Sequence, residues 1–261
     1  MRIALGIEYD GSGFHGWQTQ PSGRAIQDHL ESALSRFIGS SVSTICAGRT
    51  DTGVHAVAQV VHFDADVERE PMSWVRGTNS FLDPRIRVVW ANTVSTEFHA
   101  RFSAVNRTYQ YLLLNETVGP ALMQGRAGWF HAPLNEKDMN DAARLIVGQH
   151  DFSAFRAAEC QAKSPIRSML NAQVQREGTF IIFSFTANAF LHHMIRNLVG
   201  SLVYVGAGRQ PTAWISELLL SRDRKNAAPT FAPDGLYLTA VDYGSAYNLP
   251  SFARRLPYFQ I

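Results

Sequence analysis

Apolar and polar positions alternate along Ile3-Ala4-Leu5-Gly6-Ile7-Glu8-Tyr9, the period of a half-buried strand, and Asp10-Gly11-Ser12-Gly13 breaks it. The period then changes. Ile26, Leu30, Ala33, Leu34 and Phe37 fall on one helical face over 25–37, and Gly39 supplies a stop. A loop rich in Gly and Thr, 47–56, leads into a strand over 57–63. A helix is predicted over 71–81 and a strand over 85–91. The second half opens with a strand at 107–114. A helix follows over 135–147, with Asn135 as N-cap, then a polar loop over 155–165. Segments 171–176 and 179–186 read as a hairpin around Glu177-Gly178. The apolar run 190–205, ending at Gly206, is long for a strand and reads as a helix. A second helix spans 211–220, with Pro211 in its first turn, and 236–243 reads as a closing strand. The tail, 244–261, is rich in Pro and aromatics and is expected to wrap a surface.

Strands and helices mix without strict βαβ alternation, which favours α+β with antiparallel sheets. The two halves, 1–103 and 104–261, repeat a similar order of elements. A pseudo-duplicated arrangement on one continuous sheet, with a cleft at the junction, is therefore expected. The chain has 261 residues, 46% of them apolar. A chain of this size buries roughly 70–75% of its unfolded surface, enough for a real core. No apolar run approaches the ~18 residues of a spanning helix, and Glu8 interrupts the start where a signal peptide would stay apolar. The chain is expected to be cytoplasmic, with no membrane partner. Two cysteines, Cys46 and Cys160, make neither a disulfide framework nor a four-thiolate zinc site.

The net charge of +2 conceals an asymmetry. Residues 1–103 carry 9 basic and 11 acidic side chains, and 104–261 carry 15 and 11. All the basic residues but Lys137, Lys163 and Lys225 are Arg, whose planar fork suits phosphate and stacks on bases. An Arg-favouring genome accounts for this equally well, and any nucleic-acid footprint has to be local.

The densest candidate chemistry lies in Gly48-Arg49-Thr50-Asp51-Thr52-Gly53-Val54-His55-Ala56, a carboxylate among Gly, Thr and Arg just before a strand. Taken alone, the same loop fits an Asx-type turn. Gly11 to Gly16 matches Gly-x-Gly-x-x-Gly, but Trp17-Gln18-Thr19-Gln20-Pro21 does not open a helix, so no dinucleotide site is expected. His192 and His193 are adjacent, and on a helix they would point about 100° apart, so no metal site is expected there. Tyr109 and Tyr111 share one face of their strand, either lining a cleft or packing in the core. Arg196 sits inside an apolar helix and calls for a carboxylate partner, with Asp51 a candidate, unless it lies on a solvated face.

Together these pieces resemble the tRNA pseudouridine synthase A family. The Asp51 segment resembles its signature GRTDAGVHA, with Thr52 where Ala is usual. Further matches are Glu8-Tyr9-Asp10-Gly11 with Phe14-His15-Gly16-Trp17-Gln18, then Phe98-His99-Ala100-Arg101-Phe102 and Tyr109-Gln110-Tyr111. Asn188 to Asn197 and Gly235-Leu236-Tyr237-Leu238 complete the set, in the family's order over nearly the whole chain. The resemblance implies a mainly antiparallel central sheet from two ferredoxin-like halves, with helices packed on it and an active-site cleft between them. It implies isomerisation of uridine to pseudouridine at positions 38 to 40 of the tRNA anticodon stem-loop, by a homodimer with one tRNA bridging the subunits. It carries over Asp51 as nucleophile, Arg196 as its ion-pair partner and Tyr109 as the tyrosine stacking on the substrate, with a part in proton transfer. Arg49 matches the residue that assists base flipping. Further contacts to the tRNA, including its elbow, are expected at Arg69, at Phe98, His99, Ala100, Arg101 and Phe102, and at Glu159, Cys160, Gln161, Ala162 and Lys163. No step needs a metal or another cofactor. A non-catalytic RNA-binding protein and a glycosidase are the alternatives. The glycosidase needs a second carboxylate that no motif marks.

Overall fold

Ten strands and five helices follow one another in a computed structural model that describes residues 1–250. They are β1 (Arg2–Tyr9), α1 (Ile26–Ile38), β2 (Ile45–Cys46), β3 (His55–Asp64), α2 (Pro71–Asn79), β4 (Ile86–Val94), β5 (Asn106–Asn115) and β6 (Gly128–Phe130). Then come α3 (Glu136–Arg144), β7 (Gly148–Asp151), β8 (Ile166–Glu177), β9 (Phe180–Ala187), α4 (Met194–Gly206), α5 (Trp214–Ser221) and β10 (Leu236–Asp242). The chain divides into two compact units, Met1–Arg107 with the stretch from Tyr237, and Thr108–Leu236. The first division thus falls four residues beyond the expected one, and the closing strand rejoins the first unit.

In the first unit, β1 lies between β4 and β3, antiparallel to both, with Leu5 opposite Val61 on one side and Ala91 on the other. β2 pairs antiparallel with the far end of β3. With α1 and α2 this is βαββαβ in the strand order 4-1-3-2, the ferredoxin-like arrangement. β1 is buried along most of its length, so its apolar run is near-continuous rather than alternating. α1 buries Ile26, Leu30, Ala33 and Leu34, as the helical spacing requires. Gly39 ends it in the left-handed region (φ 85°), its N–H bonding Ser35 O. α2 packs on β4 and sends Trp74 edge-on against Phe37 and Phe63. β10 runs parallel to β3, with Tyr237 opposite His55.

The second unit holds the strands in the order β5-β9-β8-β7, with β6 parallel to β5. β8 and β9 form the expected hairpin, and Gly178 takes a positive φ of 60° in its turn. Asn135 caps α3 by accepting from the Asp138 N–H, and α3 packs on β8. α4 is buried on nearly every side, as a helix apolar all round should be. It starts at Met194, four residues later than its apolar run predicts. β2, β6 and β7 go unpredicted. β7 is Gly-Gln-His-Asp, an edge strand with no apolar alternation. Among the described residues no helix is long and apolar enough to cross a membrane. Residues 244–250 are described and the rest of the tail, 251–261, lies outside. Within the former, Tyr247 and Leu249 pack against a cluster containing Phe98 and Tyr243.

Candidate active site

Asp51 is half-buried on a loop whose main chain is tightly held within the first unit. The Val54 N–H bonds Asp51 O at 3.1 Å, and Gly53, third in this four-residue turn, has φ 80°. That is the position and sign that call for Gly in a type II turn. Upstream, the Trp17 N–H reaches Thr50 O at 3.0 Å, and Arg107 donates to Ala47 O at 3.1 Å. Tyr9 Oη and Thr50 Oγ1 are 2.8 Å apart. The Gln59 carboxamide takes both backbone groups of Gly48: Nε2 donates to its O at 2.6 Å, and Oε1 accepts its N–H at 3.3 Å. Gly16, from the Gly-x-Gly-x-x-Gly segment, abuts this loop. A Cβ there would sit 2.8 Å from Thr50 O, and its φ is 76°. Gly11 and Gly16 of that segment therefore serve close backbone approach to Val54 and Thr50, and the next helix starts only at Ile26. His55 is buried and stacks on Tyr237 at 4.6 Å, with Nδ1 accepting from the Gly11 N–H at 3.0 Å.

Two of the expected RNA contacts on this unit are corrected by burial. Phe98 and Ala100 are both 0% exposed. Phe98 packs on His62 and Tyr243, and Ala100 is pinned by His62 Nδ1 on its N–H and by the Tyr243 hydroxyl on its O. The same segment turns His99, Arg101 and Phe102 outward. Phe102 is 75% exposed, stacks on His99 at 4.3 Å and lies 5.5 Å from the Arg101 guanidinium. Arg49 is exposed, and so is Arg69, whose guanidinium covers the Phe37 ring at 4.6 Å.

On the second unit, Tyr109 is buried in β5, edge-on to Phe190 at 5.1 Å. Tyr111 is wholly buried and donates to Ala232 O at 3.0 Å. Burial pushes its phenol pKa up, and the residue belongs to the core. Arg196 lies in the first turn of α4, half-buried, and its Nε donates to Phe231 O at 2.8 Å. Its own carbonyl accepts from the Phe231 N–H at 3.2 Å, so it is a tethered side chain rather than one on an open helix face. His192 and His193 precede α4 instead of lying on it, and their rings are 4.0 Å apart, with His193 left-handed at φ 59°. The two rings thus lie side by side, against the expected separation of about 100° on a helix.

The 156–165 loop folds around Arg156, which donates to Cys160 O at 2.6 Å and Ala162 O at 2.8 Å. Glu159, Gln161 and Lys163 are exposed on it, while Cys160 and Ala162 are half-buried. Burial raises the Cys160 thiol pKa, but N–H groups of Ala162 and His192 and the Arg156 charge outweigh it and hold the thiol below its ordinary value. Cys46 is the reverse, since burial dominates and pushes it up to about 12. Both are free thiols.

The bracing by Tyr9 and Gln59 escaped the sequence reading. Its signal was a polar Gln inside the apolar strand Ala56-Val57-Ala58-Gln59-Val60-Val61.

Comparison with known proteins adds a family. The model of the tRNA pseudouridine synthase family matches residues 6–103 and 142–244, stretches that hold the Asp51 loop and Arg196. A tRNA pseudouridine synthase A of Methylobacillus flagellatus is 57% identical over 256 residues, covering 98% of each chain. Its counterpart in Burkholderia mallei is 55% identical over 250 residues, 96% of this chain and 93% of that one. That of Aromatoleum aromaticum is 55% identical over 263 residues, 99% and 100% of the two chains.

Proposed function

The chain belongs to the tRNA pseudouridine synthase family and isomerises uridine to pseudouridine in tRNA, and we propose that it acts at positions 38 to 40 of the anticodon stem-loop with Asp51 as nucleophile. The reaction breaks C1′–N1, forms C1′–C5, releases the C5 proton and protonates N1. Atoms and electrons balance within the nucleoside, so no outside oxidant or reductant enters. A carboxylate can hold one fragment covalently while the base turns. The observation that carries the reading is the Asp51 turn, whose backbone is fixed on both sides while its carboxylate side chain keeps partial access to solvent.

Arg196 is the cation that pairs with the Asp51 carboxylate. Tyr109 stacks on the everted base, worth roughly 1–3 kcal/mol against a flip costing a few kcal/mol. Arg49 fills the space the base leaves. Arg69, the half-buried His99, the exposed Arg101 and Phe102, and the 159–163 segment contact the tRNA, including its elbow. The enzyme acts as a homodimer. The test is an unmodified tRNA transcript incubated with wild type and Asp51→Asn, followed by chemical mapping of pseudouridine. Wild type should yield product at 38 to 40 and the variant none. Product from Asp51→Asn would refute the nucleophile, and wild-type product at other positions only would refute the target.

A further inference from the structure

We propose that Gln59, Tyr9 and Thr50 form a positioning relay that sets the Asp51 carboxylate for attack. This rests on the reading of Asp51 as nucleophile. Gln59 is 0% exposed in the middle of β3, where a carboxamide is costly unless every polar atom is used. They are used. Oε1 accepts from the Gly48 and Val60 N–H groups, at 3.3 and 3.2 Å. One Nε2 proton goes to Gly48 O at 2.6 Å and the other points at Tyr9 Oη, 3.4 Å away. β3 therefore clamps the loop three residues upstream of Asp51, and β1 reaches it through Tyr9 one residue upstream.

Tyr9 Oη, which takes the amide proton, also lies 2.8 Å from Thr50 Oγ1, and the two hydroxyls share a hydrogen bond. Thr50 is buried and its carbonyl is already held by the Trp17 N–H. The backbone of the residue before Asp51 is thus held by the loop at Trp17 and its side chain by Tyr9 from the sheet, which leaves Asp51 few ways to turn. Tyr9 is buried against Trp17, ring centroids 6.0 Å apart, so its hydroxyl reaches inward to the loop from a packed ring. Its partner on the loop is a hydroxyl, which makes the contact separable from packing.

The experiment removes single oxygens. Tyr9→Phe and Thr50→Val keep the core volume and break the relay at its middle and at its loop end. The readout is release of label from tRNA tritiated at uridine C5, with kcat and KM fitted separately and the thermal midpoint measured alongside. Each variant should lose on the order of 10- to 100-fold in kcat, the scale of a misplaced reacting group, with KM for tRNA unchanged. Thr50→Ser restores the hydroxyl and should recover most of the rate. The double variant should be no slower than the worse single, because both changes break one chain. A Tyr9→Phe enzyme with wild-type kcat, a loss carried by KM, or losses that multiply in the double variant would each overturn the relay. Asp51→Asn, run beside them, separates the two readings. If it turns over, the nucleophile assignment fails. If it is dead while Tyr9→Phe is unaffected, only the relay fails.

Discussion

His62 gives the first unit a dependence on acid that can be worked out from its surroundings. Its ring is buried in β3, and Nδ1 accepts the Ala100 N–H at 3.1 Å, so the folded state needs this nitrogen without a proton. Burial, then the positive charges of Arg2 and His99, lower its pKa from 6.5 to about 4, against a smaller opposing pull from Asp64. The unfolded chain therefore binds more protons between those values, and stability falls as pH falls. It is fully present above 6.5 and is lost progressively down to about 4. Integrating the two titration curves gives a loss of about 2 kcal/mol between pH 7.5 and pH 5, and about 3 kcal/mol at the limit. The perturbation is His62→Asn, whose carbonyl can still accept a hydrogen bond and does not titrate. The variant loses ring packing at every pH, so its absolute stability drops. The informative quantity is the change with pH. Urea unfolding at pH 7.5 and at pH 5 should show the wild type losing about 2 kcal/mol more than the variant over that interval. The protection factor of the Ala100 amide, its exchange rate taken relative to the intrinsic rate at the same pH, should fall with acid in the wild type only. Parallel pH dependences in the two proteins would refute the argument, because they would mean that His62 is not held neutral.

Two further outcomes follow from the Asp51 loop and its proposed partner. Gly16→Ala puts a methyl 2.8 Å from Thr50 O in a left-handed backbone, so it should cost about 1–3 kcal/mol in denaturant unfolding and lower kcat; an unchanged midpoint would mean that the approach is looser than the geometry states. Arg196→Met removes the proposed cation beside Asp51 and should lower kcat by roughly 10- to 100-fold with KM for tRNA little changed, whereas an unchanged kcat would dissolve the pair.

The elements with a clear period were legible from the chain alone. α1 was expected at 25–37 and spans Ile26–Ile38, and the β8–β9 hairpin turns at Glu177-Gly178 as its residues require. The misreadings share a cause: apolar residues serving something other than the element they adjoin. Phe190 extends the apolar run of α4, yet it packs on Tyr109 outside the helix, and the left-handed His193 delays the start to Met194. Leu145 and Val147 extend the pattern of α3 but are exposed beyond its end at Arg144. The Asp51 loop was legible because its Gly, Thr and Asp spell both a turn and a chemistry. The split of Phe98 and Ala100 inward from His99, Arg101 and Phe102 outward was not. A short irregular segment has no period to reveal which side chains are buried, and here the pins are His62 and Tyr243, far away in sequence.

The return of β10 to the first unit has a consequence for biosynthesis. β3 has β1 along one side, while β2 covers only its C-terminal end on the other and β10 covers the end beside the Asp51 turn. The last of these neighbours leaves the ribosome only after the whole intervening unit has been made. A nascent chain can fold that inserted unit early, but β3, the strand that follows the Asp51 turn, waits with that end of its edge uncovered until β10 has been made.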